Sequence, residues 1–544
     1  MKGYILRLKQ EFKGYNQQTL IKDLLAGLTV AAVALPLALA FGVSSGADGA
    51  AGLITAIIAG LMIGTLSGAS YQISGPTGAM SAILISLSQL YGLQGVFIAS
   101  FLSGVILLIA SIFKFGKVVS FIPGSVIAGF TSGIAILIFT QQINNFFGVT
   151  SEGSTTLEKI ASYFDGRFTP HMTTMLIGLA VVIFMIVYPK KWNQIIPSSL
   201  CSIVLMLGIN LIFHLDVAIV GEIPSTLLPE VRLDLFAIPW TQISKFIIPA
   251  LSIAALGMIE SLLCGASAGK MKDEKLDADQ ELFAQGVGNM IIPFFGGVPA
   301  TAAIARTSVA IKAGGQTRMT SVFHSVVLLL AMFLLGPWMA KIPLAALAGV
   351  LMVTAWRMND WKQIGQLFHN RIKTPIFQFM ITMLSTVIFD LTVAIVLGVF
   401  VSMILFVMNS AQLNLVVSDV DLDKMAGLKH HHRNTKVVYI TGPLFFANQG
   451  QLMKVITKLI AQDVEAIVLS IRGVPSIDDS GLEEWLEIYQ LCQNADVELV
   501  FSGAQKTIEH TLDRNHVYSR LPKSLFYWST MEALYYLDEQ CAQI

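Results

Sequence analysis

Charge is what this chain has little of. Asp, Glu, Lys and Arg make up 13% of its 544 residues, while hydrophobic residues make up 54%. Soluble globular domains carry about 25% charged residues, so a single soluble core is excluded and a polytopic membrane protein is implied. The charges present cancel, 35 basic against 35 acidic. That leaves no basic field for nucleic acid or an acidic polymer. Cysteine is scarce too: Cys201, Cys264, Cys492 and Cys541 lie far apart. They lack metal-ligand spacing and read as isolated, reduced thiols. No GxxxxGK[ST] run occurs, so no nucleotide site is indicated and transport, if that is the task, is secondary. A cleavable leader is not expected, because the first apolar run is long enough to span. No cofactor or metal is called for. Gly42-Val43-Ser44-Ser45-Gly46 spells the GxSxG elbow, but that motif needs a preceding strand and here an apolar helix precedes it. The chain is not read as an enzyme.

What is present is a series of apolar runs. They fall at roughly 22–44, 50–68, 77–91, 95–113, 122–143, 172–188 and 196–214, then 245–268, 281–295, 301–313, 319–338, 343–356, 374–389 and 390–410. That gives about fourteen segments by the ~20-residue criterion, several too short to span alone. The halves 22–214 and 245–410 carry seven each, and an odd number per half inverts the second copy. Basic residues cluster in alternate loops, among them Lys114 and Lys117, Lys190 and Lys191, Lys270, Lys272 and Lys275, Lys312 and Arg318, and Arg357 to Lys373. This places both termini, with the Lys-rich lead-in 1–21, in the cytoplasm of a multi-pass cytoplasmic-membrane protein. Residues 145–171 and 214–244 read as external loops.

Two stretches break the pattern. Phe294 to Arg306 reads FFGGVPATAAIAR, and Tyr71 to Ala79, about 220 residues earlier, reads YQISGPTGA. Gly and Pro end the helix in both, and small residues follow. Irregular backbone at membrane depth is tolerated only where it is buried in protein or lines a cavity. A helix starting there aims its free N–H groups and positive dipole end into that cavity, which suits an anion. Broken segments at matching places in two halves point to a transporter's binding site.

Two ionisable residues stand in this apolar setting. Glu260 lies within IAALGMIESLLCG, and Arg306 follows the second break. Intramembrane ionisable groups are costly and are functional candidates by default. Each also has a bland reading: Glu260 as a structural partner for one buried base, Arg306 as a snorkelling side chain. Read as a pair, they give an anion site a positive charge and a carboxyl able to take up a proton as substrate enters. Cys264 is one turn past Glu260 on the same face. Leu37 and Phe41 are i, i+4 partners that form an apolar wall or plain helix packing. Thr77 and Thr301 are read as starting the two short helices, where capping alone also accounts for them.

From about residue 411 the composition becomes soluble. Residues 411–435 read as a linker, and 436–544 as a small α/β domain with strands at 436–441, 466–471 and 497–502. Ser480 with Glu483 spells a capping box, with a phosphorylatable or docking serine as the alternative. His430 to His432 with Arg433 read as a linker face.

The runs QISGPTGA (72–79), GNMIIPFFGGVPATAAIARTSV (288–309), ALPLALAFG (34–42) and the terminal IDDSGL (477–482) resemble the SulP sulfate-permease family. The resemblance covers nearly the whole chain. It implies two inverted seven-segment repeats with broken third and tenth helices, joined to a cytoplasmic STAS domain. It places an anion between Thr77, Gly78 and Ala79 on one side and Ile304, Ala305 and Arg306 on the other, with Leu37 and Phe41 closing the pocket. Sodium-coupled bicarbonate carriers of this family place Asp and Thr where this chain has Glu260 and Cys264. A thiol is a poor ligand for a hard cation, which favours the proton as coupling ion through Glu260. Ser480 matches the phosphorylated serine of related STAS domains. A homodimer in membrane lipid is implied.

The expectation is a proton-coupled, alternating-access carrier of a small anion such as sulfate, bicarbonate or a dicarboxylate. Sodium-coupled bicarbonate uptake is the rival within the family. A nucleobase permease is disfavoured by Arg306, because a neutral base needs no buried cation. A channel or non-transporting sensor is the rival outside it, since a channel needs no proton-titrating carboxyl.

Overall fold

The computed structural model describes residues 2–117, 122–151, 156–164, 168–189, 191–194, 196–224, 226–234, 236, 243–389, 391–420 and 434–541. His430 to Arg433 lie outside the described residues. The chain divides into two compact units, Met1–Phe400 and Val401–Ile544.

The first unit is helical. α1 (Lys2–Glu11), α2 (Gln17–Ser44) and α3 (Gly49–Leu66) lead to a two-residue strand, β1 (Ser74–Gly75). α4 (Gly78–Ile112), α5 (Gly124–Gln141), α6 (Ile143–Phe147), α7 (Thr156–Ser162), α8 (Met172–Val187) and α9 (Ser198–Phe213) complete the first half. α10 (Ser244–Lys272) and α11 (Ala278–Ile291) then lead to β2 (Thr301–Ala302). α12 (Ile304–Lys312), α13 (Met319–Met339), α14 (Leu344–Met358), α15 (Trp361–His369), α16 (Lys373–Ile388) and α17 (Leu391–Ser410) follow. Among the described residues, six stretches are each long and apolar enough to cross a membrane: 17–44, 49–66, 78–112, 124–147, 244–272 and 319–339.

Local chemistry explains several boundaries. Asn16, Asp48 and Asp277 each accept from a backbone N–H three residues on, capping α2, α3 and α11. Within α4, Gly92 has φ +65 and kinks the helix between the third and fourth apolar runs. α15 occupies a stretch that read only as a basic loop. Asp360 caps it at Gln363 N (2.9 Å), and Trp361 and Phe368 on it are exposed.

Arg318 read as one of the loop cations that set orientation. It is in fact buried. Its Nε and Nη2 donate to Glu11 at 2.9 and 2.7 Å, and Nη1 donates to the Thr65 carbonyl at 2.6 Å. Asp23, which drew no notice in the sequence, is also buried. It accepts from Gln316 N, Thr317 N and both the Thr317 and Thr320 hydroxyls. The start of α13 is thereby fastened to α1 and α2.

In the second unit, β3 (Asn414–Asp419), β4 (Thr435–Thr441), β5 (Ala466–Gly473), β6 (Glu498–Ser502) and β7 (Phe526–Tyr527) form one sheet in that order. β3 runs antiparallel to β4, and the rest run parallel. α18 (Gln451–Ile460), α19 (Asp479–Asn494), α20 (Lys506–Arg514) and α21 (Thr530–Cys541) cover it. Ala466 to Ile471 of β5 are buried on both faces, which is why that strand reads as an unbroken apolar run. Burial pushes the Cys492 thiol up to about 11. Cys201, Cys264 and Cys492 are free.

Two features of this unit differ from the expectation. The sheet begins at Asn414, inside the stretch read as linker, because β3 supplies the outer partner of β4 over six residue pairs. The cap of α19 is Asp478, not Ser480: the Asp478 carboxylate accepts from Gly481 N at 3.0 Å and from Phe446 N at 3.0 Å. Ser480 lies in the first turn, half-buried. A soluble fragment 412–541 should therefore be monodisperse. A fragment 434–541 exposes the β4 edge and should melt at least ~5 °C lower or aggregate, the shift that loss of about 1 kcal/mol gives in a domain this size. Differential scanning fluorimetry of the two fragments checks this.

Candidate anion site

The two broken stretches meet. β1 and β2 pair antiparallel, Ser74 opposite Ala302 and Gly75 opposite Thr301. Two residues per strand cannot hold themselves together, so side chains from the surrounding helices satisfy the unwound backbone. Asn289 of α11 accepts from Ala300 N (2.7 Å) and donates to Ala300 O (2.9 Å). Thr55 of α3 accepts from Val298 N at 2.7 Å. Ser261 of α10 accepts from Ala302 N at 3.1 Å, and Thr307 of α12 accepts from Ile73 N at 3.1 Å. Gly296 turns the chain at φ +73. The irregular backbone is thus sealed in protein on one side, as membrane depth requires.

Two helices start from this junction. Thr77 caps α4, its hydroxyl accepting from Met80 N at 3.4 Å. The counterpart differs from the sequence reading: Thr301 sits in β2 and caps nothing. α12 begins after Ala303, which has no side chain able to cap. Thr301 does something else. Its hydroxyl donates to Glu260 Oε2 at 2.6 Å, and the Thr77 hydroxyl donates to the same oxygen at 2.9 Å. One carboxylate on α10 is therefore held by a threonine from each broken stretch.

Arg306 is 1% exposed. Its Nη2 donates to the Pro76 carbonyl at 2.8 Å, and its Nη1 has no protein partner. Glu260 and Arg306 form no ion pair within 4.0 Å, so the direct pair read from the sequence is replaced by threonine hydroxyls on one side and a backbone carbonyl on the other. A Cβ on Gly75 would lie 2.5 Å from Arg306 Nη1. Glycine at 75 is what lets the guanidinium lie against the strand. Gly75→Ala should push it off Pro76 and, on the expectation that this junction holds an anion, weaken anion binding about 10-fold or more, the worth of one charge-assisted hydrogen bond (about 1.5–3 kcal/mol). Scintillation proximity with a panel of labelled small anions measures that loss; a variant that binds like the parent would remove Gly75 from the site.

The structure places the other candidates as follows. A Cβ on Gly78 would meet Phe41 Cε1 at 3.0 Å and Ile138 Cδ1 at 2.3 Å, so the Phe41 ring and Ile138 of α5 both rest on the start of α4. Leu37, Phe41 and Ala79 are buried in the same core cluster. Ile304 and Ala305 are exposed, Ile304 by 49%, on the first turn of α12 beside buried Arg306. Cys264 is fully buried and donates to Thr307 Oγ1 at 3.4 Å. Ser44 and Ser45 of the GxSxG spelling end α2, with no strand before them.

Some residues of the surroundings were not picked out from the sequence. Glu281 of α11 is fully buried and accepts from Ser67 Oγ (2.6 Å), Gly68 N (3.0 Å) and Gln285 Nε2 (2.9 Å). Gln285 also donates to Ser74 Oγ of β1 at 3.0 Å. Glu281, Gln285 and Asn289 recur every four residues on one face of an apolar helix, a signal that was available. His324 of α13 is fully buried and neither ring nitrogen has a protein partner; as an ionisable residue inside the apolar run 319–338 it carried the same signal as Glu260.

Residues 20–385 match the Sulfate permease family, and residues 428–526 match the STAS domain. The chain belongs to the sulfate permease family. Relatives match along almost the whole length. A putative sulfate transporter, YvdB of Bacillus subtilis, is 33% identical over 96% of this chain and 98% of its own. The bicarbonate transporter BicA of Picosynechococcus is 28% identical over 94% of each chain. The solved transmembrane domain of a cyanobacterial BicA superposes with a TM-score of 0.64 at 28% identity, covering 71% of this chain and 98% of that one. Murine Solute Carrier 26 family member A9, an anion transporter solved in its inward-facing state, superposes at a TM-score of 0.83 with 18% identity, over 98% of this chain and 95% of that one. This sulfate permease family member is thus an α-helical, multi-pass membrane transporter with a C-terminal STAS domain.

Proposed function

We propose that this chain is a secondary active transporter of a small anion, sulfate or bicarbonate in the first instance and a dicarboxylate in the second, driven by the proton gradient. The names of its relatives supply the two inorganic anions. The observation that carries the reading is the free Nη1 of buried Arg306 beside the meeting point of two broken helices. A guanidinium with an unused donor at two helix starts is an anion site of concentrated positive potential. Thr77, Gly78 and Ala79 would face the anion from α4, and Ile304, Ala305 and Arg306 from α12. Leu37 and Phe41 would close the apolar side.

Glu260 is the coupling group in this reading. Its only protein hydrogen bonds, among the described residues, come from two threonine hydroxyls that line the same junction. The membrane unit is read as fourteen segments in two inverted repeats, 22–214 and 245–410, with both termini cytoplasmic and the α4–α12 unit carrying the site by alternating access. The protein would act as a homodimer, with a STAS unit near 436–544 and Ser480 as its regulatory position. Uptake of radiolabelled sulfate, bicarbonate, succinate and fumarate into proteoliposomes, with imposed pH and sodium gradients, tests substrate and coupling together. Uptake of none of the four would refute the transporter reading, and sodium-driven uptake would transfer the coupling role to the cation.

The same preparation separates site from regulator. Cutting after residue 412 removes the whole sheet, β3 included, and leaves the helical unit with its own core. The truncated protein should bind anion within about 3-fold of the full chain while its turnover or oligomeric state changes, the STAS unit being remote from the residues of the site in sequence. A monodisperse truncation with no anion binding would place part of the site in the soluble unit.

A further inference from the structure

Ile138 of α5 was not picked out from the sequence, yet it stands against the start of α4. A Cβ on Gly78 would lie 2.3 Å from its Cδ1 and 3.1 Å from its Cγ1, so Ile138 fills the space over that glycine. Gly78 opens α4. Thr77 takes Met80 N with its hydroxyl and Ser81 N with its carbonyl, which leaves the N–H groups of Gly78 and Ala79 without helix partners. These two residues are among those proposed to face the anion. Phe41 reaches the same glycine from α2, its Cε1 3.0 Å from that Cβ position. Both Phe41 and Ile138 are buried.

Ile138 has no room to retreat. At about 100° per residue, it lies on the side of α5 opposite Gly129. On the Gly129 side the helix rests on α16 at backbone distance. A Cβ at Gly129 would fall 2.4 Å from the Phe379 carbonyl oxygen, and one at Gly133 would fall 2.4 Å from Thr386 Cβ. On the Ile138 side, one turn further on, buried Gln142 donates to Ser44 Oγ of α2 at 3.0 Å. Backbone contact behind and a hydrogen bond in front fix how far Ile138 stands from Gly78. A close-packed interior held in this way gives little to added volume. We infer that Ile138 sets the size of anion the site accepts, admitting a compact oxyanion such as sulfate or bicarbonate and excluding the longer dicarboxylates. The inference rests on the anion site proposed between α4 and α12.

The test is uptake of labelled bicarbonate, sulfate, succinate and fumarate into proteoliposomes by the full chain and its variants. The parent should favour the two inorganic anions. Ile138→Ala should raise succinate uptake relative to bicarbonate at least about 10-fold, the low end of what one methylene is worth in a pocket. Ile138→Leu, close in volume, should hold the parental ratio. Ile134→Ala removes the same atoms from the same face of α5 one turn away, and Ile134 is equally buried. It should lower the melting temperature as Ile138→Ala does and leave the ratio unchanged, which separates size selection from packing. Parity between succinate and bicarbonate in the parent, a ratio unmoved in Ile138→Ala, or one moved equally in Ile134→Ala would each overturn the role of Ile138 and leave the anion site standing. Uptake of none of the four anions by the parent would remove the site itself, and the inference with it.

Discussion

Arg306→Ala is expected to abolish anion uptake while leaving the protein folded. Arg306 is buried, holds the Pro76 carbonyl with Nη2 and keeps Nη1 free. An anion bound at that nitrogen would be a desolvated charge with one full counter-charge. Removing one partner of a buried charged pair costs about 3–5 kcal/mol, or two to three and a half orders of magnitude in affinity at ~1.4 kcal/mol per decade. The cost to folding is smaller, because the lost contact there is one hydrogen bond to a carbonyl, about 1–3 kcal/mol. Arg306→Lys should recover little: an ammonium on a flexible stem cannot hold Pro76 and present a second, fixed donor together. Equilibrium binding of labelled sulfate, with a melting curve on the same sample, separates the two effects. A stable Arg306→Ala protein that takes up anion at the parental rate would refute the assignment.

Glu260→Gln is expected to uncouple. The Glu260 carboxylate accepts from Thr77 and Thr301, one from each broken stretch, so its charge state is sensed on both sides of the junction. An anion arriving at Arg306 would partly neutralise the guanidinium and tip Glu260 toward taking a proton. Proton and anion then bind with mutual support, and the linkage is reciprocal. The sign follows: acidifying the outer solution should tighten anion binding from that side, and an inward proton gradient should drive accumulation. Glutamine mimics the protonated acid and still offers one oxygen that can accept from both threonine hydroxyls. The variant should bind anion and exchange it, yet show no more than about a twofold change in uptake when the outer pH is stepped by one unit, where the parent should respond several-fold, a one-unit step being worth about 1.4 kcal/mol per coupled proton. Full pH-driven accumulation by Glu260→Gln, or sodium-driven uptake by the parent, would defeat the proton-coupling idea.

The sequence made the two breaks and the ionisable residues near them legible, but not how they are wired. Gly and Pro in FFGGVPATAAIAR and YQISGPTGA are local chemistry, and they announce a broken helix wherever they occur in an apolar run. A charge in such a run announces itself as well, which is how Glu260 and Arg306 came forward. Partners are different. Attraction between opposite charges suggested that these two residues pair, yet each took a closer neutral partner. The geometry of β1 and β2 brings the Thr77 and Thr301 hydroxyls onto Glu260 and sets Gly75 and Pro76 against the guanidinium. Thr301 shows the same limit: a threonine near a helix start reads as a cap, and only pairing with Gly75 made it a strand residue instead.

By itself, the sequence determined the membrane class, the apolar runs that become helices, the two breaks, the soluble α/β unit and the membership in the sulfate permease family. These rest on composition, period and short motifs, which are properties of neighbouring residues. Tertiary structure alone decided that the breaks pair as strands, that Asn289, Thr55 and Ser261 hold the unwound backbone, that Arg318 is a buried anchor rather than a loop charge, and which partners Asp23 and Glu281 take. It also decided that Asn414–Asp419 joins the sheet and that Asp478 caps the helix beside Ser480. Each of these depends on contacts between residues tens to hundreds of positions apart, or on which of two adjacent polar side chains reaches a free N–H first. Spacing along the chain carries no record of either.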